Sequence, residues 1–361
     1  MYHFNSGAWR WIFLTPPADV SFFTDPETMS RESLIVKNHP DVLVFKYENM
    51  FFKWEKSRKK TFSAAVKARL SPRAYREFKT LCRLAAAGLT VTAPIGCGIC
   101  KKGSILITRS EDNAVPVWSY FCDQFEQKKS IPEEFLDIWG RFIGNFIAAG
   151  FYSADFHAGN LLFNESEKRF ILVDVYGTQK SLFRTAEKKV MRMIFRQLKN
   201  VSCFMSQEMI DRVLDGINAA GCRINKELFP AFCTASVREL LPRRMKNFDP
   251  ELAPVRRPDG KTWNIETEEI KGEKSAVEKL RKTNFLLKLY GIPHLLATGY
   301  SDNTVSREKI NGPASEECSA SLRKRLEAAG FRSEDFFFCL NSVNMPVAAD
   351  KIFISNTQEH M

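Results

Sequence analysis

The chain contains no apolar run of about 18 residues, so no part of it reads as a membrane-spanning helix. Its start, MYHFNSGAWRWIFL, lacks a basic stretch followed by a long apolar one, and the longest apolar run there is Trp11 to Leu14. Residues 1–30 therefore read as an N-terminal extension and not as a signal peptide. The nine cysteines include one close pair, Cys97-Gly98-Ile99-Cys100, with no second pair spaced to complete a zinc site. Reduced thiols and a cytoplasmic location are the expectation. An acidic excess is also lacking: 53 Lys and Arg against 42 Asp and Glu give a net charge of +11. That balance calls for an anionic partner, which is a phosphorylated substrate, an anionic membrane face or nucleic acid. No recognised nucleic-acid module accompanies it, so nucleic acid is set aside. With 44% hydrophobic residues and 30 Phe, the 361-residue chain can build one large domain or two moderate ones.

What is present concentrates between Gly150 and Gly177, GFYSADFHAGNLLFNESEKRFILVDVYG. Asp155 is followed five residues later by Asn160, and Asp174 ends the apolar run Phe170 to Val173. This is the spacing of a phosphotransferase site. The first Asp orients the attacking hydroxyl and accepts its proton, while the Asn and the second Asp hold Mg2+ on ATP. Leu161 to Phe163 and Phe170 to Val173 predict two short strands around a polar turn. Such a hairpin sets Asn160, just before the first strand, beside Asp174, just after the second.

Upstream, Ser33 to Lys37, Val42 to Tyr47 and Met50 to Trp54 predict three antiparallel strands, with Lys53 near the end of the third. A lysine there pairs nucleotide phosphates, and a helix Glu must hold it. The next predicted helix, opened by Ser71-Pro72 and closed by Gly88, supplies Glu77 as its lone acidic residue. No glycine-rich phosphate loop occurs: the turn from Lys37 to Asp41 contains no Gly. Ile105 to Arg109 predicts a further strand, and Thr108 to Glu111 a hinge that offers backbone groups to adenine. Phe135 to Ala149 predicts a long amphipathic helix, and Lys180 to Leu198 a basic one suited to an anionic surface. Breaks at Phe248-Asp249-Pro250 and at Arg256 to Gly260 mark the best boundary in the second half.

One stretch is echoed. Ala148 to Phe156, AAGFYSADF, returns as AAGFRSEDF at Ala328 to Phe336, and Leu289 to Gly299 resembles Ala87 to Gly98. A second, degenerate unit is the reading, with Leu340 in the place of Asn160 and Ser355 in the place of Asp174.

Taken together, Lys53, Glu77 and the Asp155 to Gly177 run resemble the lipopolysaccharide core heptose and Kdo kinases over roughly residues 33–200. The supporting segments are M-F-F-K-W-E from Met50, R-L-S-P-R-A-Y-R-E-F from Arg69, L-A-A-A-G-L-T-V-T-A-P from Leu84, G-S-I-L-I-T-R from Gly103 and I-L-V-D-V-Y-G-T-Q from Ile171. The resemblance implies an α+β, two-lobed protein-kinase-like fold with a C-terminal extension. In it, residues 31–111 form the small β-rich lobe, 112–255 the helical lobe, and 256–361 a region that the family does not explain. It implies ATP and Mg2+ as cofactors, Asp155 as the catalytic residue, Asn160 and Asp174 as metal ligands and Lys53 as the ATP-binding residue. The acceptor would be a sugar hydroxyl on a lipid-linked core, at the cytoplasmic face of an inner membrane. D-F-H-A-G-N also looks like aminoglycoside and choline phosphotransferases, so a soluble small-molecule acceptor stays open. So does a pseudokinase scaffold in envelope assembly. Ser153-Ala154 replaces the His-Arg of protein kinases, which argues against activation-loop switching.

Overall fold

The computed structural model describes residues 1–31, 33–57, 72–181, 186–246, 257, 261–301, 304–309, 311–315, 320–332, 336–341 and 346–350. The chain divides into two compact units. The first takes Met1–Val115, Ser153–Asp155 and Asn160–Ser181; the second takes the remainder.

The first unit is built on a seven-stranded antiparallel sheet. Its strands are β1 (Tyr2–Ser6), β2 (Trp9–Phe13), β3 (Leu34–His39), β4 (Val42–Tyr47), β5 (Met50–Lys56), β6 (Pro94–Cys100) and β7 (Gly103–Arg109), in the order β1-β2-β6-β7-β5-β4-β3. The three strands expected around Lys53 are therefore β3, β4 and β5. Helix α1 (Pro26–Arg31) precedes β3, and helix α2 (Arg73–Ala86) packs on β6 and β7. Ala74, Phe78, Leu81 and Leu84 recur on one face of α2 and are buried, which fixes that face against the sheet. Pro72 sits in the position before the first helical residue; Ser71, expected there, lies outside the described residues.

Residues 2–13, read from sequence as part of an extension, instead add two strands to this sheet. β2 pairs with β6, placing Trp11 opposite Gly98 and Phe13 opposite Gly96. Glycine is a poor strand former, but here it makes room: a Cβ on Gly98 would lie 2.5 Å from the Trp11 ring. Trp9, Trp11, Phe13, Phe23, Phe45, Phe52 and Trp54 close into one buried aromatic cluster. Cys97 and Cys100 both lie in β6, with Cys97 buried and its thiol pushed up to about 12 by desolvation, which leaves it an unreactive packing residue.

After β8 (Ala114–Pro116) the chain enters the helical unit through α3 (Val117–Glu126) and α4 (Glu133–Ala148). β9 (Phe151–Tyr152) follows, and then the hairpin β10 (Leu161–Asn164) and β11 (Arg169–Leu172) returns to the first unit. The hairpin is in register from Leu161 opposite Leu172 to Asn164 opposite Arg169, and β8 extends it to three strands. The expected long helix is α4, which buries Phe135, Leu136, Trp139, Ile143 and Phe146.

The expected basic helix is shorter than its charge pattern suggested. Gln179–Lys180 is a two-residue strand, β12, residues 182–185 lie outside the described residues, and α5 runs Glu187–Leu198. Glu187 stands in its first turn, where the helix dipole favours an acid. Next come α6 (Gln207–Ala219), which packs on α4 and joins it through Arg212 and Asp137 at 2.8 Å, and α7 (Phe229–Lys246).

The second unit continues through β13 (Thr267–Lys271), α8 (Lys274–Leu289), β14 (Ala297–Tyr300), β15 (Thr304–Glu308), β16 (Asn311–Ser315), α9 (Ala320–Ala329), β17 (Phe336–Leu340) and β18 (Pro346–Asp350). It makes two three-stranded sheets, β13-β15-β14 and β16-β17-β18. At the expected boundary near residue 257, the Arg257 side chain is buried and ion-paired with Glu126 at 2.7 Å and with Asp123, so the chain is fastened there to α3. An antiparallel small lobe with one packed helix, followed by a helical region, is the protein-kinase-like arrangement.

Candidate active site

Strand β5 carries Lys53 opposite Val44 of β4 and Leu106 of β7, in the middle of the sheet. Helix α2 presents Glu77 from its sheet-facing side, where it is 2% exposed. A buried carboxylate needs a partner, and Lys53 provides it: Nζ lies 3.3 Å from both Glu77 oxygens. The same Nζ lies 2.9 Å from Asp174 Oδ1. Two carboxylates from distant parts of the sequence thus converge on one ammonium.

The electrostatics follow from that sharing. Burial works against the Lys53 charge, but Glu77 and Asp174 outweigh it and hold the ammonium above its ordinary value. Burial pushes the Glu77 carboxyl up to about 7 against the pull of Lys53. Asp174 is also desolvated, yet Lys53 prevails there and keeps it below its ordinary value.

Asp174 follows β11 with φ +49, a left-handed conformation uncommon for any residue but glycine. The hairpin brings Asn160 to its neighbourhood: the Val173 N–H donates to the Asn160 carbonyl at 2.9 Å. The Asn160 amide nitrogen donates to the Asp155 carbonyl at 3.0 Å, which directs the amide oxygen elsewhere and binds the Asp155 loop to the hairpin. The Asp155 N–H is held by Ser153 Oγ at 3.2 Å. The Asp155 residue is exposed. His157 Nδ1 accepts the Gly159 N–H at 3.1 Å, a bond to the loop backbone.

A cleft of about 550 Å3 opens above Lys53, Glu77 and Asp174, within the size range of small-molecule sites. Val44, Phe51, Leu106, Leu162 and Val173 give it apolar walls, as a purine ring requires. Two N–H groups of the expected hinge are already committed, Arg109 to the Ala93 carbonyl and Ser110 to the Asn49 carbonyl. Glu111 and Asp112 line the cleft beyond them.

Five residues were singled out by sequence: Lys53, Glu77, Asp155, Asn160 and Asp174. The structure brings Lys53, Glu77 and Asp174 into direct contact and bonds Asn160 to Asp155 on the same unit. Sequence reasoning missed Tyr176, two residues past Asp174. Arg73 of α2 lies over its ring, Cζ 3.7 Å from the centroid, and also pairs with Glu55 of β5 at 2.8 Å. Nothing in the local sequence marks that cluster, because its members meet only through the fold.

For a divalent cation the donor set is of the right kind: a carboxylate and an amide oxygen, both hard ligands. Among the described residues no group of three or more His, Cys, Asp or Glu could hold a metal on its own. Phosphate oxygens and water would have to complete the shell.

Residues 53–213 match the model of the lipopolysaccharide kinase (Kdo/WaaP) family. The sequence matches no curated protein. Among solved structures, WaaP in complex with acyl carrier protein is similar at 14% identity and a TM-score of 0.44, over 62% of this chain and 92% of that one. WbdD matches at 13% identity and TM-score 0.35, over 53% and 46% of the two chains. The BubR1 kinase domain matches at 11% identity and TM-score 0.32, over 54% and 58%.

Proposed function

Residues 53–213 carry the match to the lipopolysaccharide kinase (Kdo/WaaP) family, the chain is accordingly a kinase, and on that premise we propose its reaction and the residues that perform it. It phosphorylates a sugar hydroxyl of the lipopolysaccharide inner core, heptose or Kdo, at the cytoplasmic face of the inner membrane, with ATP as donor. The observation that carries this reading is the position of Lys53 Nζ between Glu77 and Asp174 at the floor of the cleft.

Lys53 takes the α- and β-phosphates and exchanges its contact with Asp174 for them. Glu77 keeps its grip, so the ammonium stays aimed into the cleft. Asn160 and Asp174 would hold Mg2+, and that ion would supply charge neutralisation at the transferring phosphoryl group. Asp155 orients the acceptor hydroxyl and takes its proton. Catalysis is then positioning plus charge neutralisation, and a chain lacking a glycine-rich loop can supply both.

A lipid-linked acceptor agrees with the charge of the protein. Lys188 and Lys189 of α5 are exposed. Arg192 is drawn toward Glu239 at 3.9 Å, and the Lys189 ammonium lies 5.5 Å from the Tyr152 ring. The face that remains is basic enough to meet anionic lipid, at about 1 kcal/mol per cation near such a surface. Among the described residues no helix is long and apolar enough to cross a membrane, so any attachment made by those helices is peripheral.

The test is transfer of labelled phosphate from ATP to truncated core lipopolysaccharides, run beside small amino-alcohols. Core acceptors should be labelled and amino-alcohols not; the reverse would sink the acceptor assignment in favour of a soluble small-molecule kinase. Asp155→Ala should lower transfer by about 10²- to 10⁴-fold, the usual worth of a general base, while ATP still binds. Unchanged turnover in that variant would remove Asp155 from the mechanism.

A further inference from the structure

The C-terminal sheets repeat the architecture around Lys53, strand for strand. In the first unit β5 pairs with β7, β7 pairs with β6, and α2 lies in sequence between β5 and β6. In the second unit β13 pairs with β15, β15 pairs with β14, and α8 lies between β13 and β14. All of these pairs are antiparallel.

Individual hydrogen bonds repeat as well. Each helix ends with the same turn: Leu89 N–H donates to the Leu84 carbonyl at 3.1 Å, and Ile292 N–H to the Leu287 carbonyl at 2.9 Å. The glycine before each donor, Gly88 or Gly291, has positive φ. Arg109 N–H donates to the Ala93 carbonyl, as Glu308 N–H does to that of Leu296. Ser110 N–H donates to the Asn49 carbonyl, as Lys309 N–H does to that of Glu266. A parallel bridge joins Val91 to Leu172, and another joins His294 to Ala348. The second sheets also agree in order, β8-β10-β11 and β16-β17-β18.

These bonds fix a residue correspondence, and it differs from the one read in sequence. Ala348 stands where Leu172 does, so Asp350 takes the register position of Asp174. Phe338 faces Ala348 as Leu161 faces Leu172, so Phe337 precedes it in the position of Asn160. The fixed-spacing reading put Leu340 and Ser355 there. It fails because the stretch from Gly330 to Phe338 is shorter than that from Gly150 to Leu161, and the paired residues Phe338 and Ala348 stand one residue closer in sequence than Leu161 and Leu172. A constant offset cannot follow two deletions.

At the nucleotide cleft the correspondence is informative. The β-register pairs Lys53 with Leu106 in the first unit and Ile270 with Val305 in the second. Counting back from the shared helix end, Glu77 corresponds to Leu280. Ile270 and Leu280 are buried together with Val277, Ala297 and Val305 in one apolar cluster. Phe51 opposite Thr108, two residues of the first cleft, becomes Glu268 opposite Arg307. That pair is joined at 2.9 Å, with the Arg307 side chain 5% exposed.

We propose that residues 266–350 are a second copy of the nucleotide-binding half of this kinase, closed to nucleotide by its own side chains, so that the chain binds one nucleotide and not two. The floor that would need a cation for a triphosphate is filled by Ile270 and Leu280. The wall that would need an apolar face for a base is crossed by the Glu268–Arg307 pair. The copy serves instead as a brace. From α9, Arg325 donates to the carbonyls of Met205 at 3.1 Å and Ser202 at 3.4 Å, beyond the end of α5, and to that of Gly291 at the end of α8.

Two measurements on the full chain test this. The first is equilibrium binding of a non-hydrolysable ATP analogue with Mg2+, and it rests on the kinase reading of the first cleft. One site per chain is expected, with no saturable site left in Lys53→Ala; two sites, or a site surviving in Lys53→Ala, would overturn the inference. Finding none in the wild type would count against the kinase reading, and the second measurement would still decide the inference because it needs no nucleotide. It is a double-mutant cycle on Ile270→Lys and Leu280→Glu. Each single variant buries an unpaired charge and should lower Tm by about 10 °C. The double variant recreates the Lys53–Glu77 pairing and should lose less than half of the sum. Additive losses would overturn the correspondence. If neither single variant folds, recovery of folding in the double carries the same meaning, and its absence the opposite.

Discussion

Lys53 Nζ stands 2.9 Å from Asp174 Oδ1 and 3.3 Å from Glu77 Oε1, one ammonium held by two carboxylates of unequal acidity. Burial pushes Glu77 up to about 7 from an ordinary 4.5, while Lys53 keeps Asp174 below its ordinary value. The stability term from Glu77 has a definite sign. Its folded value lies above its unfolded one, so that term is fully present below about 4.5 and lost as pH rises through about 7. Activity runs the other way, because the ionised form is the one that anchors Lys53. The value of kcat/KM for ATP should therefore fall as pH drops below about 7. Glu77→Gln should remove that acid limb and lower the rate at pH 8 by about 10- to 100-fold, the worth of a hydrogen bond to a charged group. A pH profile of both proteins checks this; an unchanged acid limb in Glu77→Gln would assign it to another group.

The left-handed backbone at Asp174 costs on the order of 1 kcal/mol, and what lies beside it must hold it there. Val175 is buried just after it, and Tyr176, stacked under Arg73, ties the next residue of the turn to α2. Tyr176→Phe keeps the ring and should behave like the parent. Tyr176→Ala frees the turn and should weaken the apparent Mg2+ affinity by about 5- to 30-fold, corresponding to 1–2 kcal/mol for a partly desolvated cation–π contact. Mg2+ titrations of turnover at saturating ATP separate the two. Equal affinities in Phe and Ala variants would show that the ring is packing only.

The short-range features were legible in sequence. The β10–β11 hairpin and the three strands around Lys53 announce themselves through alternation and turn residues, and α4 through its apolar stripe. Glu77 could be named as the lone acid of its helix, but nothing local says that it is buried. Features that depend on distant pairing could not be read. β2 reaches β6 across more than eighty residues, and its hint was negative: two glycines, Gly96 and Gly98, inside a strand. The Arg73–Tyr176 stack has no periodicity at all. The repeat was visible as a nonamer, but its register required hydrogen bonds, because two segments had changed length between the copies.

Arg325 offers a direct test of how much the second unit depends on its C-terminal part. It donates to the neighbouring main-chain carbonyls of Ser202 and Met205 and to that of Gly291, which sequence places far from both. Arg325→Met keeps the stem and removes every donor, leaving those acceptors short of partners at about 1–3 kcal/mol each where water cannot replace them. Thermal unfolding should shift down by several degrees, with KM for ATP unchanged because the cleft residues lie in the first unit. A large rise in KM with no loss of Tm would contradict this division.

The N-terminal strands supply the last test. At the start of β2 Trp9 and Trp11 are buried while Arg10 between them is exposed. The Trp11 ring lies 5.6 Å from those of Trp9 and Phe23, inside the cluster that also holds Phe52 and Trp54 of β5, the strand that bears Lys53. Trp11→Ala should cost about 3–5 kcal/mol, the usual loss for an enclosed aromatic. Arg10→Ala, on the other face of the same strand, should cost less than about 0.5 kcal/mol. Urea unfolding followed by tryptophan fluorescence reads both units, because Trp9, Trp11 and Trp54 lie in the first and Trp118, Trp139 and Trp263 in the second; nucleotide binding followed along the same titration isolates the first unit and should be lost at lower urea for Trp11→Ala alone. If residues 1–13 were an appendage the two variants would match; a large difference places β2 within the lobe that carries Lys53.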